Sequence, residues 1–195
     1  MMKQNHLPGI STERTDAKDS DVKYTPAPAV WALLNDDAAP PRARPVVEPC
    51  AGDGAIVRVL QEAGYYVQLA NEIRREELAG LRKLCPAQCG DWIHVCEHEH
   101  PRLIDSSVLT NPPFSIARDI AVATLAHYPF YLGLLLRCNT IGSGPWARFW
   151  NSFPPTALRP LEDRPSYTGD GKTDASEYMW AIWQRGEQPI NVKVI

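Results

Sequence analysis

Four consecutive residues, Asn111-Pro112-Pro113-Phe114, are suited to hold a flat amino group for reaction. An exocyclic amine such as adenine N6 is a poor nucleophile, because its lone pair is delocalised into the ring. Two acceptors that hold both N–H bonds favour a pyramidal, reactive nitrogen. The Asn111 side-chain oxygen and the Pro112 carbonyl are such acceptors, and the two prolines fix the backbone that carries them. Phe114 offers a face on which a planar ring can stack. No strong base is required, since the nitrogen becomes charged on transfer and then loses its proton readily. A base within a duplex must first leave the stack. The plain alternative is an Asn-Pro turn that ends a strand, with Phe114 in the core.

Upstream lies Glu48-Pro49-Cys50-Ala51-Gly52-Asp53-Gly54, directly after the apolar pair Val46-Val47. Gly52 and Gly54 permit a tight turn and a close approach of backbone to ligand. Glu48 can pair with an ammonium group, and backbone N–H groups at the turn can meet a carboxylate. Glu72, after the next apolar segment, can accept both hydroxyls of a ribose. Asp91, in Cys89-Gly90-Asp91-Trp92, can accept from an adenine amino group, with Ile73 or Trp92 covering the ring. Asn111 borders the same ligand. Ammonium, carboxylate, ribose and adenine together describe S-adenosylmethionine. A pyrophosphate cofactor fits less well. The run Ala51-Gly52-Asp53-Gly54 is not Gly-x-Gly-x-x-Gly, and Asp53 would face phosphate charge, which favours S-adenosylmethionine over NAD. Taken singly, Glu72 can equally be a helix-start acid, Asp91 a turn residue and the two glycines a turn.

These groups need a frame of alternating strands and helices. Tyr24-Thr25-Pro26 precedes a helical stretch at Ala27 to Leu34, with Thr25 expected as its cap and Pro26 at its first position. Val46-Val47 opens a buried strand, and Ala55 to Ala63 reads as a helix stopped by Gly64. A strand at Tyr65 to Ala70 and a helix at Arg75 to Leu84 follow, the latter with Leu78, Leu81 and Leu84 in register. A third short strand or loop comes before Trp92. Ser107 to Thr110 is a strand that ends at the Asn-Pro-Pro corner. Ser115 to His127 reads as a helix, Phe130 to Leu136 as a strand, and Trp146 to Asn151 as a helical turn. Thr156 to Pro160 and Glu177 to Gln184 are the last strands, and the long loop between them suits an antiparallel hairpin. The pattern predicts an α/β fold, mostly parallel, with helices on both faces.

Composition sets bounds. At 195 residues one domain is the default. Residues 1 to 21 are polar and read as a flexible tail, leaving 22–195 as a single domain. The longest apolar run, Tyr128 to Leu136, contains Pro129 and is far short of a membrane span, so no membrane partner is expected. No apolar leader opens the chain, which suggests a cytoplasmic protein. A net charge of −3 argues against tight, autonomous duplex binding. Five cysteines, an odd number, suit reduced thiols. The stretch Cys85 to His100 matches no standard zinc spacing, so no metal is expected and a polar surface loop is read there.

The order of the motifs resembles that of gamma-type S-adenosylmethionine-dependent amino methyltransferases: Tyr24-Thr25-Pro26, then Glu48 to Gly54, then Asn111 to Phe114. The segments Arg159-Pro160, Arg164-Pro165-Ser166-Tyr167 and Glu177-Tyr178-Met179-Trp180 are similar to those of small phage- or prophage-type DNA adenine-N6 methyltransferases. The resemblance spans residues 23 to 185. It implies a seven-stranded class I methyltransferase (Rossmann-like) sheet with an antiparallel last strand. It places Tyr24, Thr25 and Pro26 near the methionine end of the cofactor, and it implies adenine N6 in DNA as the acceptor. RNA, a protein glutamine amide and cytosine N4 are planar amines that the corner serves equally. A non-catalytic binding protein is the remaining alternative, against which intact Glu48, Glu72, Asp91 and Asn111 stand. Enzymes of this kind usually carry a separate target-recognition domain. This chain ends soon after its last strand, so low sequence selectivity is expected. Arg137, Arg159, Arg164 and Lys172 are candidate phosphate contacts, offset by Glu162, Asp163, Asp170 and Asp174.

Overall fold

The structure, a computed structural model, describes residues 24–166, 175–190 and 192. The tail through residue 21, and Tyr167, Asp170, Lys172 and Asp174, lie outside the described residues.

Seven strands form one sheet in the order β3-β2-β1-β4-β5-β7-β6. They are β1 (Val46–Glu48), β2 (Val67–Glu72), β3 (Ala87–Cys89), β4 (Ser107–Thr110), β5 (Tyr131–Arg137), β6 (Ala157–Pro160) and β7 (Tyr178–Gln184). Strands β1 to β5 pair in parallel, and β7 runs antiparallel to both β5 and β6. The expected terminal hairpin is therefore present. The strand order reverses between β1 and β4. In open α/β sheets, ligands bind beyond the carboxyl ends of the strands at such a reversal.

The strands sort their side chains by parity, because successive Cβ atoms point to opposite faces. Tyr131 and Leu135 of β5, with Trp180 and Ile182 of β7, enter one core with α1 (Ala27–Leu34) and α2 (Ala55–Glu62). Leu132, Leu134 and Leu136, with Met179 and Ala181, enter the other with α4 (Trp92–His94), α5 (Ala117–Leu125) and α6 (Gly144–Ser152). A sheet buried on both faces explains why β5 reads as a near-continuous apolar run. Among the described residues no helix is long and apolar enough to cross a membrane.

Three expected elements differ. β2 extends to Glu72, because its parallel ladder with β3 runs on to the pair Glu72↔Cys89. Glu72 thus ends the strand rather than following it. The helix expected over 75–84 is a 3₁₀ turn (Arg75–Glu77) and one short turn, α3 (Leu78–Leu81). Gly80 lowers helix propensity there, and Pro86 forces the chain to extend soon after. The segment read as a polar loop instead carries α4, continued by a π-helical turn at Val95–Glu99. Asp91 caps it, and Trp92, Ile93, Val95 and Cys96 all face inward.

Candidate active site

The two motifs meet where β1 and β4 lie side by side. Val46 and Val47 pair with Ser107 and Val108, so Glu48 and Asn111 emerge from neighbouring strand ends. The Cys50 N–H donates to Thr110 Oγ1 at 3.3 Å, tying the glycine turn to the strand that carries Asn111.

Glu48 is 1% exposed. Its Oε2 is buried and has no hydrogen-bond partner among the described residues. Burial pushes its carboxyl well above the usual carboxylate range, and repulsion from Glu72 and then Asp53 adds to this. The Val57 backbone, in the first turn of α2, opposes the shift by hydrogen bonding to Glu48. Because burial disfavours its charge, this carboxyl gains most from a cationic partner.

The glycine turn is tightly built. Gly52 and Gly54 have φ of +57° and +86°, the left-handed region that glycine enters without a Cβ penalty. Its N–H groups are largely spent within the protein. Ala51 donates to the Asn71 carbonyl (2.9 Å), Gly52 to Glu72 Oε2 (2.7 Å), Gly54 to the Ala51 carbonyl (2.8 Å) and Ala55 to Asp53 Oδ1 (3.1 Å). These four donors are engaged within the protein in this structure. Asp53 also pairs with Arg58 at 2.6 Å, which offsets part of the charge expected to repel phosphate.

Glu72 braces the site from inside. Besides Gly52, it accepts from the backbone N–H and the Nε of Arg74, both at 3.0 Å. Three of the roughly four acceptor positions of a carboxylate are thus engaged. Both hydroxyls of a ribose can be held only if the Arg74 side chain lets go. Arg74 also bonds the hydroxyl of Tyr24, and that hydroxyl donates to Glu77 Oε1 at 3.0 Å. Tyr24 lies over the turn, its ring 3.5 Å from where a Cβ on Gly52 would stand.

The remaining predicted residues divide. Pro49 contributes its carbonyl to the frame, described below. Ile73 is 61% exposed at the carboxyl edge of the sheet, free to cover a ring. Trp92 is not. Its indole is buried and donates to Thr124 Oγ1 at 2.9 Å, a position in the core between α4 and α5. Burying the large ring with its N–H satisfied outweighs leaving it at the cleft. Asp91 accepts from the Ile93 and His94 N–H groups as a helix cap. Thr25 does not cap α1. Pro26 occupies the cap position and no side chain bonds there. Thr25 is buried instead and accepts from Asn111 Nδ2 at 3.0 Å. Asn111 Oδ1 is left buried and without a partner among the described residues.

Pro112 is buried, and the Pro113 carbonyl accepts from Ile116 at 3.1 Å, fixing the corner. Phe114 has the Tyr178 ring at 5.6 Å and the Arg137 guanidinium over its face at 4.3 Å. Beside it is a cavity of about 170 Å³, with Leu136, Arg137, Asn139, Thr140 and Trp146 in its walls. Of the expected phosphate contacts, Arg159 is committed to Asp36 and Asp37, both at 2.8 Å, and Arg164 to Glu177 at 2.7 Å. Arg159 therefore joins β6 to the end of α1. Among the described residues no cluster of three or more His, Cys, Asp or Glu is arranged to hold a metal ion.

Sequence reasoning missed Asn71. It is 1% exposed. Its Nδ2 donates to the carbonyls of Pro49 and Gly90, both at 2.9 Å, and its Oδ1 accepts from Gln88 Nε2 at 3.1 Å. One side chain thus fixes the loops after β1 and β3 to each other. An Asn inside an apolar strand was the available signal, since buried amides must find partners.

A sheet of this strand order, with a reversed β7 and the ligand-facing groups at the switch point, has a known counterpart. The fold is that of class I methyltransferases. It resembles a modification subunit of a putative type I restriction enzyme from Vibrio vulnificus YJ016, with TM-score 0.60 and 15% identity over 88% of this chain and 46% of that one. A putative RNA methyltransferase from Pyrococcus horikoshii matches with TM-score 0.58 and 16% identity, over 86% and 82% of the two chains. An RNA methyltransferase from Salinibacter ruber, solved with S-adenosyl-L-homocysteine, matches with TM-score 0.54 and 14% identity, over 87% and 99%. The chain spans less than half the length of the restriction-modification subunits it matches. No family model matches the chain, and no curated protein matches it.

Proposed function

We propose that this protein transfers a methyl group from S-adenosylmethionine to an exocyclic amine of a nucleobase, with adenine N6 in DNA as the acceptor. The observation that carries this reading is a pair of buried oxygens without partners, Glu48 Oε2 and Asn111 Oδ1, on adjacent strand ends of a class I methyltransferase sheet. Native proteins pair almost all buried polar atoms, so two such orphans at one switch point call for N–H donors from ligands.

When bound, S-adenosylmethionine supplies an electrophilic methyl group on a sulfonium. The residues present fit it. Glu48 meets the ammonium, whose charge favours the ionised carboxylate. Glu72 meets a ribose hydroxyl once Arg74 yields, and Ile73 covers the adenine. On the acceptor side Asn111 Oδ1 takes one N–H of the amine, and the Pro112 carbonyl is assigned the other. Phe114 supports the ring, and the adjoining cavity gives it room. Low sequence selectivity is part of the proposal. Arg159 and Arg164, two of the candidate phosphate contacts, are held in ion pairs with the protein's own acids, which takes them away from reading a groove. A modification subunit of a putative type I restriction enzyme and an RNA methyltransferase both share the fold, so RNA is the second reading.

The test offers labelled S-adenosylmethionine with duplex DNA, single-stranded DNA, RNA and a protein lysate, and identifies the product by mass. N6-methyladenine in DNA is expected. Label only in RNA or protein moves the acceptor, and no turnover with intact cofactor binding removes the enzymatic reading. Asn111→Ala is expected to lose turnover while keeping cofactor affinity.

A further inference from the structure

Thr25 is one of the few buried polar side chains among the described residues, and its hydroxyl meets the Asn111 amide across 86 positions of sequence. We propose that Thr25 is a positioning residue that holds the Asn111 amide by its Nδ2 end, with Oδ1 presented to the acceptor amine. This rests on the proposed methyltransfer reading and adds to it. The resemblance placed Thr25 beside the cofactor, whereas the hydrogen bond places its effect on the acceptor.

An asparagine amide has two nearly isosteric ends with opposite chemistry. With Oδ1 inward, the corner accepts from an amine. With Nδ2 inward, it repels one. A hydroxyl can bond either end of an amide, but an incoming amine offers only N–H groups. With Thr25 Oγ1 accepting from Nδ2, as here, Oδ1 is the buried atom without a partner, and both ends are satisfied once the amine binds. A valine of the same shape offers Nδ2 nothing, so the amide is free to turn. A serine keeps the hydroxyl.

Thr25 is itself held in place. Tyr24, the preceding residue, is anchored by Glu77 and Arg74. Two residues into the following helix, the Ala29 carbonyl accepts from the Trp180 indole at 2.8 Å. The hydroxyl is thus carried by a segment fixed on both sides, as a group that sets another group's orientation must be.

Three proteins decide the matter: wild type, Thr25→Val and Thr25→Ser. Cofactor affinity is measured by calorimetry, methyl transfer by single-turnover rate, and the Asn111 side-chain amide by its NH₂ resonances. Thr25→Val is expected to lose roughly 10- to 100-fold in the single-turnover rate. It should keep cofactor affinity and lose the downfield, exchange-protected Nδ2 proton. Thr25→Ser should restore both rate and resonance. An unchanged rate in Thr25→Val, or a loss of cofactor affinity as large as the loss of rate, overturns the proposal. If wild type transfers no methyl group, the methyltransfer reading falls instead. The orienting claim is then decided by the resonance alone, and an Asn111 signal unaltered in Thr25→Val refutes it.

Discussion

Replacing Asn71 by leucine tests whether the site is held by its frame or merely sits on it. The substitution keeps the approximate shape and removes three hydrogen bonds, those to the Pro49 and Gly90 carbonyls and that from Gln88. At about 1 kcal/mol net for each, the loss is about 3 kcal/mol. A domain of this size has roughly 5–15 kcal/mol in hand, so the variant still folds. The effect on the site is separate from the effect on stability. The Pro49 and Gly90 carbonyls belong to the loops that carry the glycine turn and Asp91. Once untied, each loop must be ordered again by the ligand. Affinity for S-adenosylmethionine is expected to fall about tenfold or more, each decade corresponding to 1.4 kcal/mol. Urea unfolding measures the first quantity and calorimetry the second. A stability loss below about 1 kcal/mol would refute the assigned worth of the bonds. A full stability loss with unaltered affinity would show that Asn71 serves the fold and not the site.

Other outcomes follow from the same geometry. Glu48 is held protonated well above the ordinary glutamate value of about 4.3, so the folded state binds more protons than the unfolded state. Stability of the free protein should therefore fall as pH rises from about 4.3 toward the raised value, and Glu48→Gln should flatten that slope in thermal melts. Cofactor binding should release a proton in the same window, seen as a buffer-dependent heat that Glu48→Gln abolishes. Gly54→Ala places a Cβ 2.7 Å from Leu84 and 3.0 Å from Leu81 at a φ of +86°. The backbone term alone costs about 1–2 kcal/mol, and calorimetry should show a Tm lower by roughly 3–8 °C. Phe114→Ala should raise the acceptor KM about 10- to 100-fold through lost stacking, with cofactor affinity unmoved in parallel titrations.

Local features were legible where apolar periodicity and a turn residue agreed. The helix over Ala27–Leu34 and the strand over Ser107–Thr110 have the bounds the sequence implies. The strand-end positions of Glu48 and Asn111 were legible because strands followed closely by Gly or Pro leave little choice of where they stop. Other readings failed for a physical reason: the deciding partner is distant in sequence. Thr25 looks like a helix cap until Asn111 is beside it. Arg159 looks like a phosphate contact until Asp36 and Asp37, more than 120 positions away, claim it. The helix at Trp92 was hidden by the polar run Glu97 to His100, although Asp91 announced it as a cap. Asn71 shows the same limit, since its three partners come from three different loops and strands.

The insertion of β7 between β5 and β6 sets an order of events during synthesis. β6 emerges from the ribosome first, yet among the described residues its sheet neighbour is β7 alone. It must wait unpaired until residues 178–184 have been made. The same late strand carries Trp180, whose indole fastens α1, and thereby the segment bearing Thr25, to the sheet. A nascent chain arrested before that strand already holds Glu48, Glu72 and Asn111, while the helix that follows Thr25 still lacks its indole bond to the sheet.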